Sequence, residues 1–231
     1  MRFGHSDALW RDFPGLVPGV LAVEGISRDV DVRARLARFT EVAASRLASA
    51  SEGELPEIQA WRRAFSQLGL KPTQYRCASE ALLRRFRKEG SLPEIHPLID
   101  VCNAVSLAFA TPVAVFDLDR VEGDLEVRHA AGAEIYETFA GDVETPEAGE
   151  VVFADSSGRA HARRWTNRQS GYSAVRPETA RVLVVAEALH AAAGEDVPRL
   201  VETLATEVEA VWAVTPRTAI LSRASPRFDV A

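Results

Sequence analysis

Residues 98–119 read LIDVCNAVSLAFATPVAVFDLD, and this stretch holds a helix and a strand in immediate succession. Apolar side chains recur at helical spacing over 98–109, which predicts a helix with one buried face. Pro112 ends that helix, because proline lacks the backbone N–H that the next helical hydrogen bond needs. The residues that follow, VAVFDLD (113–119), have the apolar, β-branched character of a strand.

A group of polar side chains lies near the start of this apolar stretch. Asp100, Cys102 and Asn103 fall within about one helical turn of each other, although the rest of the run is apolar enough to form core. A buried amide or carboxylate destabilises a fold unless it is hydrogen-bonded. The group is therefore either a structural hydrogen-bond network or the floor of a functional site, and the residues alone leave both open.

The chain upstream of this stretch is mainly helical, and the chain downstream is mainly extended. After a strand at 15–26, apolar spacing predicts helices at 30–50, 54–70 and 77–90. An amphipathic helix is also predicted at 196–214. Short strands are predicted at 125–130, 150–155, 159–165, 181–188 and 219–224. This order predicts an α+β fold, organised as a single compact domain over 1–231 with a mixed or antiparallel β-sheet flanked by helices.

Composition and charge exclude several classes of protein. Apolar residues make up 47% of the 231 residues and charged residues 26%, a balance typical of a globular domain with a substantial core. The net charge of −6 excludes a chain-wide basic surface for nucleic acid, so a polyanion would need a local patch. No apolar run is long enough for a membrane span, and the first ten residues lack a signal-peptide core. We expect a cytoplasmic protein with no membrane partner.

The cysteines and histidines give no sign of a metal or cofactor site. Cys77 and Cys102 form no Cys-x-x-Cys pair, and we expect both to be free thiols. The five histidines are scattered, and no pair has the spacing of metal ligands. We therefore expect no metal and no cofactor.

Residues 61–88 are strongly basic within an otherwise acidic chain. The segment has eight lysines and arginines, and Glu80 is its only acid. Aromatic residues are interleaved with these cations, as on surfaces that bind phosphates and stack bases. The alternative is that Trp61 and Phe65 form a core pair and that the cations are a solvated face. Candidate contacts to nucleic acid are Arg62, Lys71, Arg76, Arg84 and Arg85.

Several motifs follow one another in a fixed order between about residues 55 and 190. They are Asp-Val-Cys-Asn at 100–103, Pro112, Val-Phe-Asp-Leu-Asp at 115–119, Val-Arg-His-Ala at 127–130 with Gly132 and Glu134, EVVFADSSGRAHARRW at 150–165 and SAVRPETARVLVVAEA at 173–188. This order and spacing resemble the editing domain of the phenylalanyl-tRNA synthetase β subunit. The segment that precedes them, 61–86, looks like the lead-in of free-standing versions of that domain.

The resemblance implies an aminoacyl-tRNA deacylase that acts in trans on a mischarged tRNA. Its implied partner is the aminoacylated 3′ end of tRNA, and its candidate substrates are arginine tRNA carrying an arginine mimic such as canavanine, or phenylalanine tRNA carrying tyrosine. An aminoacyl ester is already activated, so a site needs only a bound water and orienting hydrogen bonds. The alternatives are a tRNA-binding module without activity and an unrelated small-molecule enzyme.

The polar group of 98–119 supplies the first candidates for this site. Asn103 matches a site asparagine of the family, and its amide can both donate and accept hydrogen bonds. Cys102 replaces the family's threonine and is expected to shape the pocket. A covalent Cys102 nucleophile is disfavoured, because apolar burial raises the pKa of a thiol. Asp100 is a candidate substrate contact, with a purely structural role as its alternative.

The polar segment RWTNRQS (164–170) supplies the second set of candidates. We predict that it is a substrate-recognition loop that faces the same pocket as Asn103, with a solvated turn as the alternative. Its candidate catalytic residues are Gln169 and Ser170, and its candidate substrate contacts are Trp165, Asn167 and Arg168.

Glu187 ends the apolar strand RVLVVAE and is the last candidate substrate contact. The family has a glutamate near this point, although the best spacing places it at Val185. A Glu187 carboxylate that faced the pocket would bind the substrate's α-ammonium or a cationic side chain. The alternative is an acid at a helix N-terminus that is exposed to water. Ala114 stands where the family has a site histidine, so the resemblance also implies an altered pocket.

Overall fold

The structure, a computed structural model that describes residues 1–230, contains six α-helices and twelve strands in two β-sheets. The helices are α1 (Asp7–Asp12), α2 (Arg33–Ser49), α3 (Pro56–Gln67), α4 (Ala78–Glu89), α5 (Pro97–Phe109) and α6 (Ala193–Trp212). The strands are β1 (Arg2–His5), β2 (Val17–Glu24), β3 (Val113–Asp117), β4 (Leu125–His129), β5 (Ile135–Glu137), β6 (Val143–Glu144), β7 (Val151–Asp155), β8 (Arg159–Arg163), β9 (Arg168–Gln169), β10 (Arg181–Ala188), β11 (Arg217–Ile220) and β12 (Arg227–Asp229). Short 3-10 turns lie at Glu52–Glu54 and Leu118–Arg120.

The larger sheet is mixed, and the smaller sheet is antiparallel. The larger sheet has the strand order β12-β1-β4-β7-β8-β5-β6, with β9 paired to β8, and its parallel pairs are β1 with β4 and β5 with β8. The smaller sheet has the order β11-β2-β10-β3. Both sheets and the helices form one compact α+β domain, which confirms the predicted fold class.

The smaller sheet lies between the larger sheet and a layer of helices. Its central strands, β2 and β10, pair without a break from Arg181–Glu24 to Ala188–Val17 and are almost wholly buried. On one face, residues such as Val184 pack with the buried sides of α5 and α6. On the other face, residues such as Leu183 pack with aromatic residues of the larger sheet. Burial on both faces explains why these two strands are continuously apolar rather than alternating.

Close contact between α6 and β2 depends on a glycine. A Cβ atom at Gly19 would overlap the side chains of Val201 and Val197 of α6. The helix therefore lies nearer to this strand than any larger residue would permit.

The two ends of the described chain meet in the larger sheet. β1 lies between β12 and β4, and the Val230 N–H donates to the Met1 carbonyl over 3.0 Å. This position buries Phe3 and His5 of β1 completely or nearly so. Neither β1 nor the adjoining α1 was predicted, because these elements are short and their burial comes from distant parts of the chain.

The longer predicted elements are present with small shifts at their ends. The five predicted helices correspond to α2 to α6, and α6 begins at Ala193, three residues before the predicted start. The predicted strands are present, and the unpredicted β5, β6, β9 and β12 have only two or three residues each. No helix within residues 1–230 is both long enough and apolar enough to cross a membrane.

Candidate functional site

A cleft opens between the two sheets, beside the first residues of β3. It is narrow, with a cavity volume of about 60 Å³. Its apolar walls are Ala78, Pro112, Val113, Ala114, Phe153, Ala162, Trp165 and Val185. Its polar lining consists of Thr166, Asn167, Arg168, Gln169 and Glu187. An apolar cavity with a few convergent polar groups is the usual form of a small-ligand site.

A strained turn after β8 brings the predicted recognition segment to this cleft. Arg164 and Trp165 have φ angles of 47° and 56°, a left-handed conformation that costs about 1–3 kcal/mol for each such residue. The Trp165 N–H donates to the Val151 carbonyl over 2.7 Å, and the ring packs edge-on against Trp61 and Phe13. Trp165 is 0% exposed, so it is an anchor of the turn that also lines the cleft.

Glu187 lies in the cleft with only 2% of its surface exposed. Its Oε1 accepts a 3.0 Å hydrogen bond from Trp165 Nε1 and lies 2.7 Å from His5 Nε2. Its Oε2 accepts no hydrogen bond within residues 1–230, yet is not fully buried. One carboxylate oxygen is therefore held by the protein, and the other is available to a ligand.

The side chains of the recognition segment are largely tied to the protein. Gln169 Nε2 donates to the Val115 carbonyl over 2.6 Å, and Asn167 Nδ2 donates to the Arg76 carbonyl over 2.7 Å. Arg168 forms an ion pair with Glu144 at 3.0 Å. The amide oxygens of Asn167 and Gln169 accept no hydrogen bond within residues 1–230, and both residues line the cleft.

Ser170 is not placed in the cleft. Its side chain is fully buried, and its hydroxyl donates to the Glu137 carbonyl over 2.7 Å while accepting from the Tyr172 N–H. In this structure the hydroxyl holds two loops together, and the catalytic role of Ser170 stays a prediction.

Asp100, Cys102 and Asn103 also lie away from the cleft. Asp100 and Asn103 line a separate groove between α2, α4 and α5, and this groove shares no lining residue with the cleft. Burial raises the pKa of Asp100, and its Oδ1 accepts from the Ile95 N–H over 2.9 Å. The prediction that the two polar segments face one pocket is wrong.

The two faces of α5 explain why Asp100 and Asn103 lie away from the cleft. Leu98, Val101 and Val105 face the smaller sheet and α6, whereas Asp100 and Asn103 follow the opposite stripe toward α2. Cys102 is 2% exposed within the apolar cluster, and burial raises the pKa of its thiol to about 12. It is a core residue in this structure. The helical period of residues 98–109 already predicts that Asp100 and Asn103 lie opposite the apolar face of α5.

The basic segment is partly neutralised by buried glutamates. Arg62 and Arg76 both pair with Glu80, at 2.6 and 3.4 Å. Arg84 and Arg87 both pair with Glu52, at 3.1 Å each, and this acid comes from outside the segment. Arg85 pairs with Glu89, four residues further along α4. Three exposed cations have no carboxylate partner within residues 1–230, namely Arg63, Lys71 and Lys88.

One group of side chains has the composition of a metal site. Ligand atoms of Glu57, His190 and Asp196 lie within 4.8 Å of one another. Both oxygens of Glu57, however, accept from Arg46 Nη2 at 2.7 and 2.8 Å, so a guanidinium already neutralises this carboxylate. A cation would have to displace that arginine, and the prediction of no metal stays a prediction.

His5 is the residue that sequence reasoning missed; it does not line the cleft but contacts Glu187, which does. It reaches Glu187 from β1, a strand of four residues whose sequence carries no clear pattern. The apolar residues Val185 and Ala114 line the cleft at the positions where the family's glutamate and histidine were expected. Strand alternation in β10 places Val185 and Glu187 on one face, which could have assigned Glu187 to the interior.

Curated proteins of similar sequence include β subunits of phenylalanine–tRNA ligase. The phenylalanine–tRNA ligase β subunit of Methylococcus capsulatus is 32% identical over 139 residues, covering 58% of this chain and 17% of the relative. The corresponding subunit of Dickeya dadantii is 29% identical over 138 residues, with the same coverage. The chain thus spans 17% of the length of these curated relatives.

A solved structure shares the same fold. The N-terminal fragment of the phenylalanyl-tRNA synthetase β subunit from Pyrococcus horikoshii matches with a TM-score of 0.51 and 11% identity, over 93% of this chain and 50% of that chain. Residues 60–197, more than half of the sequence, match the family described as the B3/4 domain. The chain belongs to the B3/4 domain family, which is related to the editing region of the phenylalanyl-tRNA synthetase β subunit.

Proposed function

We propose that this protein hydrolyses the ester bond of a mischarged tRNA and holds the aminoacyl group in the cleft between the two sheets. The observation that carries the proposal is the Glu187 carboxylate. It is almost fully buried and lines the cleft, one oxygen is fixed by two ring nitrogens, and the other accepts no hydrogen bond within residues 1–230. Such an oxygen is complementary to a protonated α-amine, which an aminoacyl-tRNA carries next to its ester.

The reaction needs no protein nucleophile. The oxygen of a water attacks the ester carbonyl carbon, the bond from that carbon to the ribose oxygen breaks, and the ribose oxygen takes a proton. The products are a free amino acid and tRNA. Glu187 would fix the α-ammonium and hence the carbonyl, and the free amide oxygens of Gln169 and Asn167 would orient the water. Fixing the reacting groups in this way can account for much of the acceleration of an activated ester.

The substrate side chain would extend along the apolar walls of the cleft. Ala114 and Ala162 present only methyl groups there, and no imidazole stands at position 114. Candidate substrates are arginine tRNA carrying a mimic such as canavanine and phenylalanine tRNA carrying tyrosine.

The tRNA itself would bind the basic face formed by α3 and α4. Arg62, Arg76, Arg84 and Arg85 surround this face, and each buried glutamate there is shared by two arginines, which leaves surplus positive charge. Lys71 adds an exposed cation. Phosphate contacts of this kind supply most of the sequence-independent affinity for nucleic acid. Because Ala78 at the start of α4 also lines the cleft, the basic face and the cleft adjoin each other.

A deacylation panel tests the proposal. The purified protein would be mixed with tRNAs that carry cognate and near-cognate amino acids, including tyrosine and canavanine, and release of each amino acid would be timed. We expect release of at least one near-cognate amino acid, with the cognate pair spared. Absence of release from every charged tRNA would contradict the enzymatic proposal.

The second candidate is a tRNA-binding module without activity. One observation favours it, namely that Asn167 and Gln169 use their N–H donors on backbone carbonyls rather than presenting them to the cleft. Filter binding of uncharged tRNA at two salt concentrations, together with a negative deacylation panel, would identify this case.

A further inference from the structure

We propose that His5, from the N-terminal strand, is a positioning residue that fixes the Glu187 carboxylate so that its free oxygen receives the α-ammonium of the aminoacyl group. The inference rests on the proposed function, because it concerns how the same cleft recognises its ligand. It adds a residue that lies outside the part of the chain that matches the B3/4 domain, residues 60–197.

The geometry of the pair is that of a buried, two-donor clamp. His5 Nε2 lies 2.7 Å from Glu187 Oε1, and Trp165 Nε1 donates to the same oxygen over 3.0 Å. A carboxylate only accepts hydrogen bonds, so the imidazole donates through Nε2. The other ring nitrogen, Nδ1, is buried and has no partner within residues 1–230, which agrees with that tautomer. Both donors therefore act on Oε1, and neither acts on Oε2.

A clamp of this kind is needed because a glutamate side chain has three rotatable bonds. Burial of an unpaired carboxylate is strongly unfavourable, so without donors the Glu187 side chain would turn toward water. Two rigid rings on one oxygen remove that freedom and leave the second oxygen in a fixed position. Preorganised charge of this kind binds a ligand without the cost of reorganisation.

The flanks of the chain hold His5 in place. β1 is paired on one side with β4 and on the other with β12, the last strand of the described chain. The imidazole packs between the rings of Phe3, at 5.4 Å, and Trp10, at 5.3 Å. The first and last strands of the described chain therefore both help to position His5 Nε2 against Glu187, which lines the cleft.

The competing explanation is that His5, Trp165 and Glu187 form a buried network with a structural role only. Both explanations predict that loss of His5 lowers stability. Only the positioning role predicts that loss of His5 changes how strongly the cleft prefers a ligand with a free amine. The test therefore compares pairs of ligands that differ in that amine alone.

The probes are adenosine analogues in which the 3′-oxygen is replaced by nitrogen and acylated through a stable amide with tyrosine or with arginine. Each analogue is prepared with its α-amine free and with its α-amine acetylated. Affinities are measured by calorimetry for the wild-type protein and for three variants. His5→Phe keeps the ring volume but cannot donate, His5→Gln can still donate, and Glu187→Gln removes the anion.

We expect the wild-type protein to bind a free-amine analogue at least tenfold more tightly than its acetylated partner. His5→Phe and Glu187→Gln should reduce this preference to about twofold or less, and His5→Gln should retain most of it. A wild-type protein that binds no analogue, or that does not distinguish the two amines, overturns the inference. So does a folded His5→Phe variant that keeps the wild-type preference.

A measurement on the wild-type protein avoids any failure of the variants to fold. The imidazole ¹H and ¹⁵N resonances of His5 should shift when a free-amine analogue binds and stay unchanged with the acetylated analogue. Identical responses to the two would count against the inference. Because none of these measurements needs hydrolysis, a negative deacylation panel combined with a strong amine preference would remove the proposed activity and leave this role of His5 intact.

Discussion

Gln169 Nε2 donates a 2.6 Å hydrogen bond to the backbone carbonyl of Val115 and thereby joins the two sheets at the cleft. Val115 lies in β3, which is an edge strand of the smaller sheet. An edge strand leaves one row of backbone groups without a strand partner. Here a side chain from β9 of the larger sheet satisfies one of them and fixes the wall of the cleft.

Replacement of Gln169 by alanine should therefore affect stability as well as activity. The Val115 carbonyl would lose its partner in a partly buried position, which typically costs about 1–3 kcal/mol. Urea unfolding should show this loss, and deacylation should fall at least tenfold because the wall and its amide oxygen are both altered. Gln67→Ala is the matched control, since Gln67 donates to the Asp12 carbonyl in an exposed position. Equal effects of the two replacements would contradict the bridging role.

Asn103→Ala distinguishes the cleft from the groove between α2, α4 and α5. Asn103 is half-buried, lines the groove and not the cleft, and makes no side-chain hydrogen bond within residues 1–230. We expect its removal to leave deacylation within about twofold of the wild type, whereas Glu187→Gln should lower deacylation at least tenfold. Rates with saturating charged tRNA would check both variants. A larger loss of deacylation in the Asn103 variant than in the Glu187 variant would indicate that the reaction takes place at the groove.

Cys102→Ala tests whether a thiol takes part in the reaction. Burial raises the pKa of Cys102 to about 12, so the nucleophilic thiolate is almost absent at neutral pH. The variant should deacylate within about twofold of the wild type, and an alkylating reagent should leave the native protein active. Cys77, whose pKa burial raises to about 11, serves as a second buried thiol for the alkylation control. A large loss in the Cys102 variant without loss of stability would restore the covalent alternative.

The parts of the fold that the sequence predicts are those in which local pattern and burial agree. β10 and α6 are long, and their apolar residues recur at the period of their own element. β1 has only four residues, Arg2–His5, and is buried because β12 and β4 pair with it from distant parts of the chain. No window of sequence contains that information, so the strand that delivers His5 could not be predicted.

The sequence predicted only part of the candidate site. Asn167, Gln169 and Glu187 do line one cleft. They could be predicted because polar residues within an otherwise apolar stretch indicate either a site or a structural hydrogen-bond network. The error at Asn103 came from treating neighbouring polar residues as one group without asking which face of α5 each occupies. The net positive charge of the basic face was overestimated. Glu52 lies outside residues 61–88 in the sequence, yet it pairs with Arg84 and Arg87 in the structure.

The basic face offers a test that separates binding from folding. Lys71→Glu combined with Lys88→Glu changes two exposed cations that have no carboxylate partner within residues 1–230, so stability should stay within about 0.5 kcal/mol. The affinity for uncharged tRNA should fall about tenfold or more at low salt, and the dependence on salt should become shallower. Filter binding at two salt concentrations measures both. An unchanged affinity would place the tRNA on another face.

Arg84→Ala combined with Arg87→Ala is expected to behave differently. These replacements leave the buried Glu52 carboxylate without its two partners, and loss of a buried charge's partners typically costs about 3–5 kcal/mol. Adding Glu52→Gln should restore most of the stability, because the uncompensated charge disappears. A double variant as stable as the wild type would show that Glu52 is solvated in solution.

Glu134 should make stability depend on pH in the acid range. Burial alone would raise its pKa, but hydrogen bonds from the Ala131 N–H and from Arg128, at 2.9 and 2.5 Å, lower the pKa to about 2. A carboxyl whose folded pKa lies below its unfolded value of about 4.5 stabilises the fold above that value, and the contribution disappears as pH falls toward 2. Glu134→Gln should therefore cost about 2 kcal/mol at pH 7 and progressively less below pH 4. Urea unfolding at pH 7, 4 and 3 measures this, with Glu178→Gln as the control because Glu178 is exposed and makes no side-chain hydrogen bond within residues 1–230. A cost that stayed constant across this range would show that the Glu134 carboxylate is not the group that titrates.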